Sequence, residues 1–251
     1  STKMDSVYLD PRHPGSFSSV ANLQRYAGVD RPTAVRFLSG EDAYTMHRPT
    51  RVRFPRRRTY AKGIDDLFQI DLVDLGSISA YNSGYRYLLM CIDVFSKYAW
   101  SVPLKTKTGR EVASAFETIL DERQCTFLQG DKGAEWLNAP FQDLLRRRGI
   151  KFYSSENEDI KASVVERLNR TIKGRMWRYF THRNTRHYLD VLPDIMHSYN
   201  NTYHRSIGMK PSEVNALNEQ EVRERLYPPK PRTFAYKYEA GDTVRISVQR
   251  L

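Results

Sequence analysis

One carboxylate and two cations recur at helical spacing between residues 161 and 179, in the sequence KASVVERLNRTIKGRMWRY. Glu166, Arg170 and Lys173 stand at positions i, i+4 and i+7, so a helix would place them on one face. Another face of the same helix would carry an apolar stripe of Val164, Leu168, Ile172 and Met176. For an isolated helix, an exposed Glu–Arg pair with no further role would be the simpler interpretation.

Two further acids change that interpretation. Asp71 lies in the middle of an apolar run, between Ile70 and Leu72, where a charge is costly unless a partner compensates it. Asp131 follows the apolar segment CTFLQ in the turn GDKG. If these two carboxylates and Glu166 converge without a buried cation, they require a divalent metal. Oxygen ligands of this kind select Mg²⁺ or Mn²⁺.

Other acidic residues could compete for such a metal: Asp74, Asp93, Glu135, Glu156, Glu158 and Asp159. Asp74 is an odd number of positions from Asp71 on one strand, so alternation directs it to the opposite face. Asp93 ends an apolar run, and we expect it to cap the turn that follows. The acids of the ENED segment are expected to be solvated loop residues.

The elements that must position these acids follow from residue 65 onward. Apolar, β-rich runs predict five strands, at DLFQIDLVDL, YRYLLMCIDVF, KYAWSVPL, CTFLQ and IKFYSS. Amphipathic segments predict helices at GREVASAFETILDE and NAPFQDLLRRRG, before the helix at 161–179. The order βββαβαβα indicates a mixed α/β sheet flanked by helices. In such a sheet the first and fourth strands are neighbours, which would bring Asp71 and Asp131 together.

Additional elements flank this core. Ser18 or Ser19 can cap a helix that Gly28 ends, and Asp30 can cap a second helix. This pair has the outline of a helix-turn-helix, a weak signal by itself. After the helix at 161–179, we predict a helix from about His187 to Tyr203 and a last one ending at Leu226. Beyond a Pro-rich linker, YEAGDTVRIS predicts the first strands of a small β domain that is incomplete within this sequence.

Charge is concentrated near the N-terminus. The chain of 251 residues has a formal net charge of +11, and residues 1–62 hold 12 Lys and Arg against 5 Asp and Glu. The segment RPTRVRFPRRRT, residues 48–59, contains six arginines and no acid. A solvated linker is the simpler interpretation, but this density favours an arm that contacts phosphates through Arg51, Arg53, Arg56, Arg57 and Arg58. We therefore expect nucleic acid as the partner. No segment is apolar enough to predict a membrane span.

Several segments together resemble one family, the DDE integrases of the ribonuclease-H-like fold. They are QIDLVD, YLLMCIDVFSKYAW, LQGDKGAEWLN, IKASVVERLNRTIKGRMWRYF, VLPDIMHSYNNTYHRSIGMKPSEV and GDTVRI. Over roughly residues 44 to 251, the sequence is most similar to integrases of Maverick/Polinton-type elements and their virophage relatives. The resemblance implies that Asp71, Asp131 and Glu166 are the catalytic, metal-binding triad, with two metal ions. It also implies that the tail begins an SH3-like or chromo-like domain.

The sequence departs from the retroviral pattern in three ways. Asp131 and Glu166 are 35 positions apart, one fewer than is usual, and Gly130 stands where a Thr or Ser commonly precedes the second acid. The retroviral His–His–Cys–Cys zinc site has no counterpart, since the N-terminal third holds only His13 and His47 and no cysteine. We therefore expect no zinc.

The resemblance sets the predicted organisation. Residues 1–47 form a helical, helix-turn-helix-like domain, and residues 48–64 a basic linker. Residues 65–213 form the ribonuclease-H-like catalytic core, a mixed five-stranded sheet flanked by helices. Residues 214–251 form a helix, a linker and the incomplete β domain.

The predicted function is that of a transposable-element integrase. It would process the 3′ ends of double-stranded DNA and join them to a target, with Arg170 and Lys173 contacting the DNA near Glu166. We expect a homo-oligomer, located in the nucleus or wherever the viral or transposon DNA resides. Two alternatives stay open: a catalytically dormant DNA- or chromatin-binding protein derived from such an integrase, and a ribonuclease-H-type nuclease. The flanking basic and β modules disfavour the nuclease.

Overall fold

The computed structural model of the chain describes residues 2–10, 13, 16, 17, 19–47, 59–154, 162–229 and 239–243. The chain divides into two compact units, one of residues 1–56 with 235–251 and the other of residues 57–234. Three predictions fall outside the described residues: the arginine arm with Arg51, Arg53, Arg56, Arg57 and Arg58, the loop acids Glu156, Glu158 and Asp159, and most of the tail's β domain. The predicted domain boundaries stay predictions.

The first unit contains helices α1 (Lys3–Tyr8), α2 (Val20–Ala27), α3 (Arg31–Gly40) and α4 (Asp42–His47). The Ser19 side chain caps α2, Gly28 ends it in the left-handed region at φ 67°, and Asp30 caps α3. These are the caps that the sequence predicts. The short helices α1 and α4 were not predicted. Val7 and Tyr8 of α1 form a small core with Leu23, Ala27, Ala34 and Leu38, and the partly buried Tyr44 of α4 packs against it.

A mixed five-stranded sheet organises the second unit. Its strands are β1 (Leu67–Asp74), β2 (Tyr87–Asp93), β3 (Ala99–Leu104), β4 (Phe127–Gly130) and β5 (Lys151–Ser154). They lie in the order β3-β2-β1-β4-β5. The first three are antiparallel neighbours, whereas β1 pairs with β4, and β4 with β5, in parallel. The predicted fold is therefore confirmed, including the neighbouring first and fourth strands.

Helices cover both faces of the sheet. One face packs against α5 (Gly109–Glu122) and α6 (Ala139–Arg147), and Phe68 and Ile70 of β1 belong to that core. The other face packs against α7 (Ser163–Arg183) and α8 (Leu192–Asn200), and Val73 belongs to that second core. Because side chains alternate along a strand, Gln69 and Asp71 share the α7 face with Val73. A 3₁₀ helix, Gly76–Asn82, lies in the connection between β1 and β2.

Two helices differ from their predicted bounds. Helix α7 continues beyond Tyr179 to Arg183, and Asn184 ends it in the left-handed region at φ 48°. Helix α8 is shorter than the predicted 187–203, because Pro193 lies in its first turn, the position that tolerates a residue without a backbone N–H. The buried positions of α7 are Val165, Leu168, Ile172, Met176 and Phe180. The apolar stripe therefore begins at Val165 and not, as the sequence predicted, at Val164.

The last described helix, α9 (Glu219–Leu226), packs within the same unit as the sheet. Val222 shares a buried cluster with Ala61 and Phe95, and the Tyr227 hydroxyl accepts a hydrogen bond of 2.9 Å from the Ala61 amide. The segments just before and after the core thus contact each other. No described helix is long and apolar enough to cross a membrane. Cys91 and Cys125 are both buried free thiols.

Candidate active site

Asp71 lies at the centre of the site, on the α7 face of β1. Its Oδ1 accepts a hydrogen bond of 2.9 Å from the Leu72 amide, and its Oδ2 accepts one of 2.7 Å from Asn169 Nδ2. Asn169 lies three positions after Glu166 on α7, slightly less than one helical turn. The amide of Asn169 therefore links the strand that carries the first acid to the helix that carries the third.

Gln69 fixes the start of that helix. Its side chain is fully buried, and its Oε1 accepts hydrogen bonds of 3.0 Å from the backbone amides of both Val164 and Val165. Its Nε2 donates 3.0 Å to Oε1 of Gln129, the residue opposite it on β4. Ala162 supplies no side-chain cap, so Gln69 satisfies amides that a capping residue would otherwise satisfy. Sequence analysis missed this residue, although a glutamine inside a buried strand was a visible signal.

Asp131 follows β4 directly and is exposed. Its Oδ1 accepts hydrogen bonds from the Gly133 amide at 3.0 Å and from the indole Nε1 of Trp136 at 2.7 Å. Trp136 is fully buried, so it holds this carboxylate from the core side. A Cβ at Gly130 would lie 3.3 Å from the Trp136 Nε1. The glycine that departs from the retroviral pattern therefore leaves room for the indole that orients Asp131.

Glu166 lies in the first turn of α7 and is exposed. Its closeness to Asp71 appears in the electrostatics of the latter. The pKa of Asp71 is raised to about 6. Burial is the main cause, the negative charges of Asp131 and Glu166 add to the rise, and hydrogen bonds from Leu72 and Asn169 oppose it. The carboxyl groups of Asp131, just after β4, and Glu166, on α7, thus both act on the pKa of Asp71 on β1.

The donor chemistry of this site fits a hard divalent cation. Carboxylate oxygens are its preferred ligands, and a cation would offset both the burial and the repulsion that raise the pKa of Asp71. The buried Oδ1 of Asn169 is a further oxygen that accepts no hydrogen bond within the described part of the chain. However, no three His, Cys, Asp or Glu side chains among the described residues lie close enough together to hold a metal ion. The assignment of Asp71, Asp131 and Glu166 as metal ligands stays a prediction.

The competing acids that the structure describes on β1 and β2 have other partners. Asp74 is exposed, accepts a hydrogen bond of 2.7 Å from the Gly76 amide and lies 3.8 Å from Arg86. Asp93 is buried and accepts hydrogen bonds from the Phe95 amide and the Ser96 hydroxyl, as expected for a residue that caps the turn. It also forms an ion pair of 2.8 Å with Arg123, which the sequence did not predict.

Arg170 and Lys173 are both exposed on α7. Within the described residues neither forms an ion pair, so the simple Glu166–Arg170 pair expected for an isolated helix is not formed. Among the described side chains, then, no carboxylate competes with an external anion for these two cations. Their role in binding DNA stays a prediction, as does that of the arginine arm.

Known proteins provide a comparison for this arrangement. No protein-family model matches the chain. A transposon-derived protein of Caenorhabditis elegans is 36% identical over 172 residues, which are 67% of this chain and 57% of that protein. The Pro-Pol polyprotein of simian foamy virus type 3 is 26% identical over 150 residues, 59% of this chain and 13% of the polyprotein. The chain therefore spans little more than half the length of the transposon-derived protein and a small part of the polyprotein.

Among solved structures, the integrase catalytic core domain of HTLV-2 in complex with magnesium, in a trimeric form, matches with a TM-score of 0.52. The match covers 61% of this chain and 98% of that domain at 18% sequence identity. By sequence, then, the chain is similar to transposon-derived and retroviral Pol proteins. By fold, its core matches an integrase catalytic core.

Proposed function

We propose that this chain is the integrase of a transposable element, of the Maverick/Polinton or virophage-like type. Its reaction would be metal-dependent processing of DNA 3′ ends and transfer of those ends into a target duplex. The observation that carries the proposal is the environment of Asp71, whose pKa is raised to about 6 by burial and by the negative charges of Asp131 and Glu166, and which accepts a hydrogen bond from Asn169 of α7. The likeness to integrase cores and to transposon-derived and retroviral proteins supports it.

Asp71, Asp131 and Glu166 would hold two Mg²⁺ or Mn²⁺ ions at this site. Such ions, when bound, lower the pKa of a water and stabilise charge on the attacking and leaving oxygens of a phosphodiester. The magnesium in the HTLV-2 core supports this choice of metal. No nucleophilic side chain is required, so no Ser, Cys or Tyr is assigned that role.

The other residues of the site position these acids. Asn169 orients the carboxylate of Asp71, and Trp136 orients that of Asp131. Gln69 anchors the first turn of α7 to β1 and thereby sets where Glu166 stands. These hydrogen bonds pre-organise the ligands before a metal or DNA arrives, which is the contribution a protein scaffold makes to metal-ion catalysis.

The partner in this proposal is double-stranded DNA, both the element's ends and its target. Arg170 and Lys173 would contact phosphates beside Glu166, and the arginine arm would follow the backbone elsewhere. We further propose that the working form is a homo-oligomer that acts in the nucleus, or wherever the element's DNA resides.

The test is an assay of Mn²⁺-dependent cleavage and joining with duplexes from the element's own ends. Asp71→Asn, Asp131→Asn and Glu166→Gln should each abolish both reactions while leaving DNA binding largely intact. Asp74→Asn is the matched control, because Asp74 lies on the same strand but is exposed and bound elsewhere. Full activity in any of the three variants would show that the triad is misassigned. DNA binding by an inactive wild type would favour the dormant DNA-binding protein instead.

A further inference from the structure

A second group of charges lies on the other flank of α7. A cavity of about 170 Å³ is lined there by Lys97, Arg167, Thr171, Arg175, Thr202 and His204, among others; we call it the cationic pocket. Arg167, Thr171 and Arg175 follow one another at i, i+4 and i+8, so they form one line along the helix. The cavity is roughly ten times the 10–15 Å³ that a single water requires, so it can accept a small polar group.

Lys97 is the most buried charge of this pocket. It is 9% exposed, and its backbone is held in the left-handed region at φ 64°. Its Nζ donates one hydrogen bond, of 2.6 Å, to the Val94 carbonyl, although an ammonium has three donors. The pKa of Lys97 is lowered to about 8. Burial is the main cause, the negative charge of Asp93 opposes the lowering, and the positive charge of Arg167 adds to it. The ammonium is therefore short of compensating negative charge.

Arg175 is held in place by neutral groups. Its Nη1 donates 2.8 Å to the Ser198 hydroxyl and its Nη2 donates 3.2 Å to the Thr202 hydroxyl. In the described part of the chain, none of Lys97, Arg167 and Arg175 forms an ion pair, and the residues that line the cavity include no carboxylate. Three cations thus surround a cavity that contains no anion of its own from these residues.

His204 supplies a donor without a charge. Its Nδ1 accepts a hydrogen bond of 3.3 Å from the Ser206 amide, so the neutral ring carries its proton on Nε2. Burial, together with the charges of Lys97 and Arg167, lowers the pKa of His204 to about 4. The ring is therefore neutral at physiological pH, and its Nε2–H is available to an acceptor.

We propose that the cationic pocket binds a phosphate group of the DNA backbone, separately from the acids on the other flank of α7. Guanidinium, ammonium and hydroxyl donors around one cavity suit an oxyanion, and Arg in particular matches phosphate geometry. The choice of DNA as the source rests on the proposed function. It is favoured over a free phosphate compound because Arg167 and Arg170 are i, i+3 neighbours, with Cβ atoms about 5–6 Å apart. A polyanion that contacts Arg170 is therefore within reach of Arg167.

The first experiment tests the pocket with inorganic phosphate alone. The melting temperature of the full chain is measured against phosphate concentration at constant ionic strength set with chloride. We expect phosphate to stabilise the wild type and to stabilise Arg167→Gln and Arg175→Gln less than half as much. Arg110→Gln, an exposed arginine of α5, is the control and should respond as the wild type does. Because Arg167 is exposed, its replacement retains the fold even if that of Arg175 does not. An equal rise in melting temperature for the wild type and Arg167→Gln would refute phosphate binding in the cationic pocket. That result is expected if other parts of the chain neutralise the charges of the pocket.

The second experiment tests DNA as the source. The affinity for a duplex is measured against salt concentration in Ca²⁺, in wild-type and Asp71→Asn backgrounds. Loss of one phosphate contact in Arg167→Gln should reduce the log–log slope by roughly 0.9, in both backgrounds. An unchanged slope with phosphate still stabilising the wild type would overturn DNA as the source. Neither measurement requires DNA cleavage. A wild type without cleavage activity would therefore refute the proposed function but would not refute phosphate binding in the cationic pocket.

Discussion

The two flanks of α7 differ in the sign of the charge they collect. On one, Asp71 has a pKa raised to about 6 by burial and by the carboxylates of Asp131 and Glu166. On the other, Lys97 has a pKa lowered to about 8 by burial and by Arg167. Each central charge therefore has a neighbour of its own sign on the helix between them.

The flanks also differ in how firmly those charges are held. Asp71 and Asp131 each accept two hydrogen bonds from described groups, whereas the Lys97 ammonium makes one, to a carbonyl. The difference indicates that the acidic flank is built for precise placement of its charges. On the cationic flank Arg175 is held by two hydrogen bonds, but the most buried cation, Lys97, makes one within the described residues, so the position of that charge is less constrained.

The largest expected effect concerns the buried cation. Because the folded-state pKa of Lys97 is below its ordinary 10.5, the unfolded chain holds the proton more tightly. The penalty is fully present below pH 8 and is relieved as pH rises from about 8 to 10.5. Relative to Lys97→Met, the wild type should gain roughly 3 kcal/mol of unfolding free energy across that window. Urea denaturation at several pH values measures this, and a difference that does not change with pH would contradict it.

Removing the anchor of α7 should have the next largest effect. Gln69→Leu deprives the amides of Val164 and Val165 of their acceptor, which should lower the unfolding free energy by about 2 kcal/mol. It should also reduce cleavage, because Glu166 follows directly on these amides. Gln129→Leu is the matched control, since Gln129 bonds to Gln69 and not to α7. Equal effects of the two substitutions on stability and cleavage would remove Gln69 from the role of anchor.

The exposed cations beside Glu166 should matter for DNA and little for the fold. Arg170→Ala combined with Lys173→Ala should weaken binding of an end-sequence duplex in Ca²⁺ by about tenfold, or about 1.4 kcal/mol. Stability should stay within about 0.5 kcal/mol of the wild type, as is usual for surface substitutions. Equal DNA affinity and equal strand transfer in the double variant would exclude both residues from the site.

Trp136→Phe should have a modest effect on the fold. The ring remains, and only the indole N–H to Asp131 is lost, at a cost of about 1 kcal/mol because that carboxylate is exposed. The loss of activity should be proportionally greater, since Asp131 loses the bond that orients it. If activity and stability decline in the same proportion, Trp136 has a packing role only.

Sequence patterns predicted most of the core because each pattern has a local cause. The alternation along β1 and the caps Ser19, Gly28 and Asp30 report backbone preferences that the fold does not override. The neighbouring positions of β1 and β4 follow from strand order alone. The end of α8 was wrong because apolar spacing continued beyond Asn200 while the helix did not.

The parts that were missed depend on contacts between distant segments. Gln69 meets Val164 across 95 positions and Asn169 meets Asp71 across 98, distances at which no spacing rule applies. The cationic pocket likewise assembles Lys97 with Arg167 and His204, which are ordinary charges when considered singly. Asp71 could be singled out because a charge within an apolar run is conspicuous, whereas the partners of a buried amide such as Gln69 cannot be identified from the sequence.

The most direct test of the acidic flank is a titration of the full chain with Mn²⁺ in the presence of an end-sequence duplex. Electron paramagnetic resonance measures the concentration of free Mn²⁺ at each step. We expect the wild type and Asp74→Asn to remove Mn²⁺ from solution to the same extent. Asp71→Asn should bind far less Mn²⁺, because the substitution removes the negative charge of the central carboxylate of the proposed site. Undiminished Mn²⁺ binding by Asp71→Asn would contradict a metal site formed by these three acids.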